Sequence, residues 1–419
     1  MRNLIVLFFL FTCALLSYTD REILSLVIDF VKLDMHISNY QFALLIGTFF
    51  GVIYAVMGLP VGWLVDRLPR KPFLIAAIGL WSAGTIVCGL AMQFPLMLAG
   101  RMLVASGEAA LAPVALSLIG DIFPRHQQGR ALGFYFSGIV AGGGVSIIVG
   151  GWLLGPAGGA LLAPFMPHLA PWRRIFMFLG MLGMAMCVLA LFVVREPLRT
   201  HAATVQDRPD DAPEPLSTRM ALFMTCLAVS AISIIDNAVG AWAPYVMVHA
   251  FNVSAAHIGK VLGWFLIVGG LMGVSLGGQL SDRLMKTREQ GLFYRSVIVL
   301  LLVLAGLGMG GDLYGYGLTL CMMTGIVALA GMCSTLGLNL ILYLGTPQRR
   351  GFMTSFSFFL NVLVGAGLGP LLVPLALDAP LRLPPIAALG SVATVAALVA
   401  GGLFGVAQRL SRTKDSVQA

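Results

Sequence analysis

The sequence predicts an all-α membrane protein, with twelve transmembrane helices in two pseudo-symmetric lobes of six. Three observations lead there. Of the 419 residues, 58% are hydrophobic and only 11% charged, with a mean hydropathy of +0.93, whereas a soluble domain carries about 25% charged residues. Twelve apolar stretches follow one another, each near the roughly 20 residues that a helix needs to cross a bilayer. The two halves also repeat each other at a fixed offset.

In chain order, the first half predicts spans at 4–30, 40–65, 72–93, 96–120, 129–153 and 175–194. The second half predicts 219–248, 255–281, 293–311, 315–345, 350–376 and 384–408. Irregular backbone cannot face lipid, and these stretches are too long and too evenly apolar for alternating barrel strands, so helices are the economical reading. The opening MRNLIVLFFLFTCALLS has the basic-then-apolar look of a signal peptide. No A-x-A-like site follows and the apolar run continues to Phe30, so it reads as a retained first span. The fifth span carries Gly138, Gly142, Gly143, Gly144, Gly150 and Gly151, a spacing that favours close helix contact and bending. Between spans 6 and 7 lies the longest polar stretch, rich in Pro and charge, which reads as a flexible linker. The expected organisation is a lobe at 1–194, a cytoplasmic linker at 195–218, and a second lobe at 219–419 ending in a short cytoplasmic tail.

The net charge of +8 reports topology rather than nucleic-acid binding. With the N-terminus inside, the inner loops collect Arg67, Arg70, Lys71, Arg125, Arg130 and most of the remaining Lys and Arg. The outer side receives only Lys32, Arg173, Arg174, Lys260 and Arg382. Both termini are therefore expected in the cytoplasm, and the protein in the inner (plasma) membrane. Cys13, Cys88, Cys187, Cys226, Cys321 and Cys333 all fall in apolar stretches without paired spacing, and read as packing thiols. The histidines show no ligand spacing, so no metal or cofactor is expected. H-E-x-x-H does not occur, which argues against a zinc-dependent intramembrane enzyme.

The repeat has an offset of 216 residues. It carries Asp20 to Asp236, Gly47 to Gly263, Gly62 to Gly278, Leu64 to Leu280, Asp66 to Asp282 and Arg67 to Arg283. Both halves begin on the same side, so they are parallel repeats about an axis along the membrane normal, with a cavity expected between the lobes near the midplane.

Between spans 2 and 3 stands Gly62-Trp-Leu-Val-Asp66-Arg67-Leu-Pro69-Arg70-Lys71. Gly62 permits close helix approach, and Asp66 can pair with basic residues or cap a helix end, tying the lobes together on the cytoplasmic side. On the simpler reading Arg67, Arg70 and Lys71 are positive-inside anchors. The whole string resembles the G-x-L-x-D-R-x-G-R-K signature of the major facilitator superfamily, with Pro69 in place of the second Gly. Gly278-Gln-Leu-Ser-Asp282-Arg283-Leu-Met-Lys286 resembles its degenerate second copy.

Within that superfamily, residues 17–199 resemble the Spinster-like branch and suggest a bacterial relative. The resemblance rests on Tyr18-Thr-Asp20-Arg21, Gly107-Glu108-Ala109, the Arg130-to-Tyr135 stretch and Val194-Arg195-Glu196-Pro197. It implies a major facilitator fold and a monomeric secondary transporter, with coupling and substrate chemistry at the Asp-Arg pair and the span-4 Glu. The implied partners are protons, the lipid bilayer and a small amphiphilic or anionic substrate of lysolipid or sphingoid type. Superfamily antiporters often carry Gly-Pro in span 5 where this chain has Ser146-Ile147.

Ionisable side chains at membrane depth cost about 2.5 to 3.5 kcal/mol even on a lenient scale, so each needs a partner or a function. Glu108 sits mid-span, where a proton and a neighbouring cation compete for it. Arg101 lies two turns away on the same face, and Asp20 and Arg21 reach a comparable depth. Neighbouring helix residues point about 100° apart, so one of that pair is expected to face the cavity and the other to engage span 4. Asp20 and Glu108 are proton-coupling candidates. Arg21, Glu108, Asp236 and Asn237 are substrate-binding candidates, and Arg101 is a structural or coupling residue. A static network, Asp20 with Arg101 and Glu108 with Arg21, is the competing reading, and Glu22 reads as a solvated or helix-side partner. A drug or organic-anion exporter fits every motif except the first-half details, and a non-transporting receptor uses the same scaffold.

Overall fold

The computed structural model describes residues 2–196, 216–287, 289–309, 315–344, 350–378 and 380–417. Most of the expected linker, 197–215, lies outside the described residues. Among the described residues the secondary structure is helical throughout, with no strand. Twelve helices among the described residues are long and apolar enough to cross a membrane. Spans 1 to 6 are Asn3–Leu26, Asn39–Val65, Arg70–Leu90, Phe94–Ile122, His126–Leu154 and Pro171–Val193. Spans 7 to 12 are Leu216–Phe251, Ala255–Thr287, Gln290–Met309, Tyr316–Leu344, Met353–Leu377 and Pro385–Ser411.

Local chemistry explains the ends. Span 2 opens with a capping box, in which the Gln41 N–H donates to Ser38 Oγ and the Ser38 N–H donates to Gln41 Oε1. Span 6 starts with Pro171 in its first turn, where the missing N–H costs nothing. Span 1 stops at Leu26 rather than Phe30, and a separate helix, Ile28–Met35, carries the chain onward. Asp34 on that extension accepts hydrogen bonds from Trp172 Nε1 at 3.1 Å and Arg173 Nε at 3.0 Å, which docks it on the start of span 6.

Three interior irregularities were not foreseen. Span 4 breaks after Glu108, because Ala109 and Ala110 form a turn before helix resumes at Leu111. Pro113 has no N–H to offer the carbonyl of Ala109. Spans 2 and 11 each contain a π-helical turn, at Leu44–Thr48 and Asn361–Ala366, a feature that often marks functional positions.

The helices form two compact units. One comprises Met1–Thr204 with Asn252–Ile267, and the other comprises Val205–Phe251 with Val268–Ala419. In the first unit, span 1 packs along span 5, and span 3 packs between spans 4 and 6. Lipid is as apolar as the helix surfaces, so contact is driven by close packing at small residues. A Cβ on Gly107 would lie 2.6 Å from Trp81 N and 2.7 Å from Ala77 O, so spans 3 and 4 meet backbone to backbone next to Glu108. The expected use of the span-5 glycines is seen directly. Gly142 abuts Leu15 and Tyr18 of span 1, while Gly144 and Gly151 meet Gly263 and Gly259 in the first part of span 8. In the second unit, span 7 packs along spans 10, 11 and 12, and Trp242 Nε1 donates to the Pro370 carbonyl at 2.9 Å.

Candidate coupling and substrate site

The charged residues of spans 1 and 4 converge inside the first unit. Arg21 donates from Nη2 and Nε to Glu108 Oε2, at 2.8 and 3.2 Å. Glu108 is buried, whereas the Arg21 side chain keeps 15% of its surface exposed. Its guanidinium is ringed by aromatic faces, with centroids at 4.6 Å for Tyr18, 4.4 Å for Phe50 and 5.0 Å for Tyr54. Of the Asp20-Arg21 pair, then, Arg21 is the member that engages span 4 and also retains exposure.

Asp20 turns the other way and is buried. Its Oδ2 accepts from the Thr85 hydroxyl on span 3. It forms no ion pair with Arg101, so the static pairing of those two is not made among the described residues. Arg101 is fully buried beneath the π turn of span 2. Its Nε and Nη2 each lie 3.5 Å from a carbonyl, those of Leu45 and Arg21, and its guanidinium sits 4.9 Å from the Phe50 centroid. One phenyl ring thus touches both arginines. Asp20 Oδ1, Glu108 Oε1 and Arg101 Nη1 are buried without a hydrogen-bond partner among the described residues. Glu22 is half-buried.

At the turn between spans 2 and 3, Arg70 is buried rather than a loose anchor. It pairs with Asp121 at the end of span 4 and with Glu196 Oε1 at 3.0 Å, and it donates to Ser117 Oγ at 3.1 Å. Glu196 Oε2 accepts the Lys71 backbone N–H at 2.7 Å, and Lys71 Nζ donates to the Leu191 carbonyl at 2.7 Å. Partial burial alone would push the Glu196 carboxyl up, but the N–H groups of Lys71 and Arg70 and the Arg70 guanidinium hold it below the ordinary glutamate range. Arg70 and Lys71 therefore lock the ends of spans 3, 4 and 6 within one unit.

Arg67 stacks on Trp63 at 3.9 Å and is exposed, as are Asp282 and Arg283. The Asp66 side chain lies outside what the structure describes. No described atom stands within 4 Å of a Cβ built on Gly62. The close approach expected there is not made among the described residues: Val61 and Val65 on the adjoining face are buried, while the face of Gly62 is open and leaves Trp63 56% exposed.

In the second unit, Asp236 is half-buried near the middle of span 7 and makes no hydrogen bond or ion pair with the described residues. Asn237 donates from Nδ2 to the Ser233 carbonyl at 2.8 Å and faces Gly365 and Gly369 of span 11. Sequence reasoning missed Tyr18, Phe50, Tyr54 and Thr85. The only signal was the four-residue spacing of Phe50 and Tyr54, which puts both on one helix face, and aromatic pairs at that spacing are ordinary in apolar spans.

Comparison with known proteins places this arrangement. The chain is 25% identical to Protein spinster of Drosophila melanogaster over 86% of its own length, which is 59% of the fly protein. It is 25% identical to Protein spinster homolog 1 of Homo sapiens, over 87% of this chain and 71% of that one. With the Hexuronate transporter of Bacillus subtilis it shares 27% identity over 70% of this chain and 68% of that protein. Among solved structures, a bacterial homologue of the human lysosomal transporter Spinster, crystallised in an inward-facing and unoccupied conformation, superposes with a TM-score of 0.78. That match has 20% identity, covers 98% of this chain and 97% of the other, and establishes the fold. The model of the Major Facilitator Superfamily matches residues 10–370, and the chain belongs to that superfamily as a Spinster-like member.

Proposed function

We propose that the chain is a secondary active transporter, not an enzyme, which moves a lysolipid- or sphingoid-like amphiphile by alternating access and couples that movement to protons. The observation that carries this reading is the ion pair of Arg21 with the buried Glu108, beside carboxyl oxygens that no described protein group satisfies. Among the described residues Arg21 and Arg101 are the cations neighbouring Asp20, Glu22 and Glu108, so the ionised cluster is short of one positive charge, and in a low-dielectric interior one bound proton restores neutrality. With Glu108 ionised, Arg21 is held on span 4. Once Glu108 takes a proton, the ion pair relaxes and the exposed side of Arg21 is released toward an anionic group, while Asp20 provides a second carboxylate for the proton. Tyr18, Phe50 and Tyr54 keep the guanidinium in place through that exchange by cation–π attraction.

The protein is further proposed to work as a monomer in the inner (plasma) membrane with both termini cytoplasmic. A second reading, an organic-anion transporter, is favoured by the resemblance to the hexuronate transporter and by the two arginines at membrane depth, Arg21 and Arg101. Uptake into proteoliposomes separates the readings. Lysophospholipids, long-chain bases and hexuronates would be presented with and without an inward proton gradient. Gradient-stimulated uptake of the amphiphiles supports the first reading. Uptake of hexuronates alone supports the second, and absence of any flux removes both.

A further inference from the structure

We infer that Asp236 is an ammonium-binding subsite in the second unit, seating the positively charged nitrogen of an amphiphile whose hydrocarbon enters the adjoining apolar crevice. The inference rests on the transporter reading and narrows its substrate class.

Asp236 stands near the middle of span 7. The other described Asp, Glu, Lys and Arg residues of this unit's spans, Arg219, Asp282, Arg283, Lys286, Arg295 and Arg409, all lie near helix ends. A carboxylate at membrane depth without a partner is costly, and by default such a residue marks a functional site. The internal repeat sharpens the point. In the first unit Asp20 is followed by Arg21 and hydrogen-bonded by Thr85, whereas in the second the acid is kept and the arginine is replaced by Asn237. Asn237 is spent on the seam with span 11. Its neighbour Asp236 points about 100° away from that seam.

One turn further along the same face, Val239 lines a narrow apolar crevice with Met322, Met323, Ile326, Leu389 and Ala393. The rise between Asp236 and Val239 is about 4.5 Å, so a charged head on the carboxylate lies one helical turn from a residue that lines the crevice. The two flexible methionines can adjust to admit a chain. A proton would neutralise Asp236 but leave the crevice unused. A cationic amphiphile uses both.

The test is equilibrium binding to the full chain in nanodiscs, corrected with empty nanodiscs, of three ligands of equal chain length: decyltrimethylammonium, decyl glucoside and decyl sulfate. The wild type should bind the ammonium ligand roughly tenfold more tightly than the neutral one, the scale of one charge-assisted contact. Asp236→Asn should lose that preference without losing affinity for the glucoside, and Asp236→Glu should keep it. Met323→Trp, which fills the crevice, should weaken both ligands alike. Equal ammonium affinity in wild type and Asp236→Asn, or no ammonium preference in the wild type, would overturn the inference. A preserved preference in a protein that shows no flux would sink the transport reading and leave the subsite standing.

Discussion

Phe50 lies against two guanidiniums, those of Arg21 at 4.4 Å and Arg101 at 4.9 Å. Cation–π contacts of this kind are worth about 0.5 to 2 kcal/mol each when desolvated. Phe50→Leu, which keeps apolar volume and removes the ring, is therefore expected to cost about 1 to 3 kcal/mol of stability, and Phe50→Trp to recover most of it. Thermal unfolding in detergent checks this, and a leucine variant as stable as wild type would show the ring to be mere filling. At this scale the sequence was partly legible. Asp20, Arg21, Arg101 and Glu108 stand out because charge is rare in an apolar span. Phe50 and Tyr54 do not, because nothing in one sequence separates a ring facing lipid from a ring facing an arginine. The partner choice of Asp20 was equally hidden, since Thr85 lies on a span whose rotation the sequence does not reveal.

Among the elements, the number and order of the spans followed from apolar length alone, but their interruptions did not. Ala109-Ala110 is a strong helix former that nevertheless turns, and Pro113, three residues on, was the one local hint. The break leaves Glu108 as the last residue of its helix segment. Gly107 fixes that segment against span 3, so Gly107→Val forces two backbones apart. Overpacking of this kind costs typically 1 to 3 kcal/mol or more. The expected result is a lower yield of folded protein and a lower unfolding temperature, whereas Gly120→Ala, at a position with open space around it, should be neutral.

The end of span 6 makes a pH prediction. Because the folded state holds Glu196 below the ordinary carboxylate value, its contribution to stability is present above about pH 4.3 and is lost as pH falls through the lowered value. The wild type should thus lose more stability than Glu196→Gln between about pH 5 and 3. The difference should be under about 1 kcal/mol, because the Glu196 side chain is 35% exposed. Parallel acid curves for the two proteins would show that the contact with Arg70 and Lys71 contributes nothing to folding.

Across the whole molecule, the repeat at 216 residues was visible because acidic and glycine positions survive at membrane depth, where few substitutes are tolerated. It predicts related halves, yet not that Asp20 and Asp236 differ in surroundings, the first packed against Thr85 and the second without a hydrogen-bond or ion-pair partner among the described residues. On the proposed reading function rests on that difference between the two units: one holds a charge cluster short of a cation, and the other a carboxylate in mid-span. The central claim is that Glu108 exchanges a proton as substrate moves, and proton movement itself tests it most directly. Proteoliposomes loaded with a pH-sensitive dye would be given a gradient of the amphiphile identified by uptake. The wild type is predicted to move protons across the membrane with the substrate, and Glu108→Gln to bind the amphiphile while leaving the internal pH unchanged. Equal proton flux in the two proteins, or substrate flux in the wild type without any proton movement, would contradict the account.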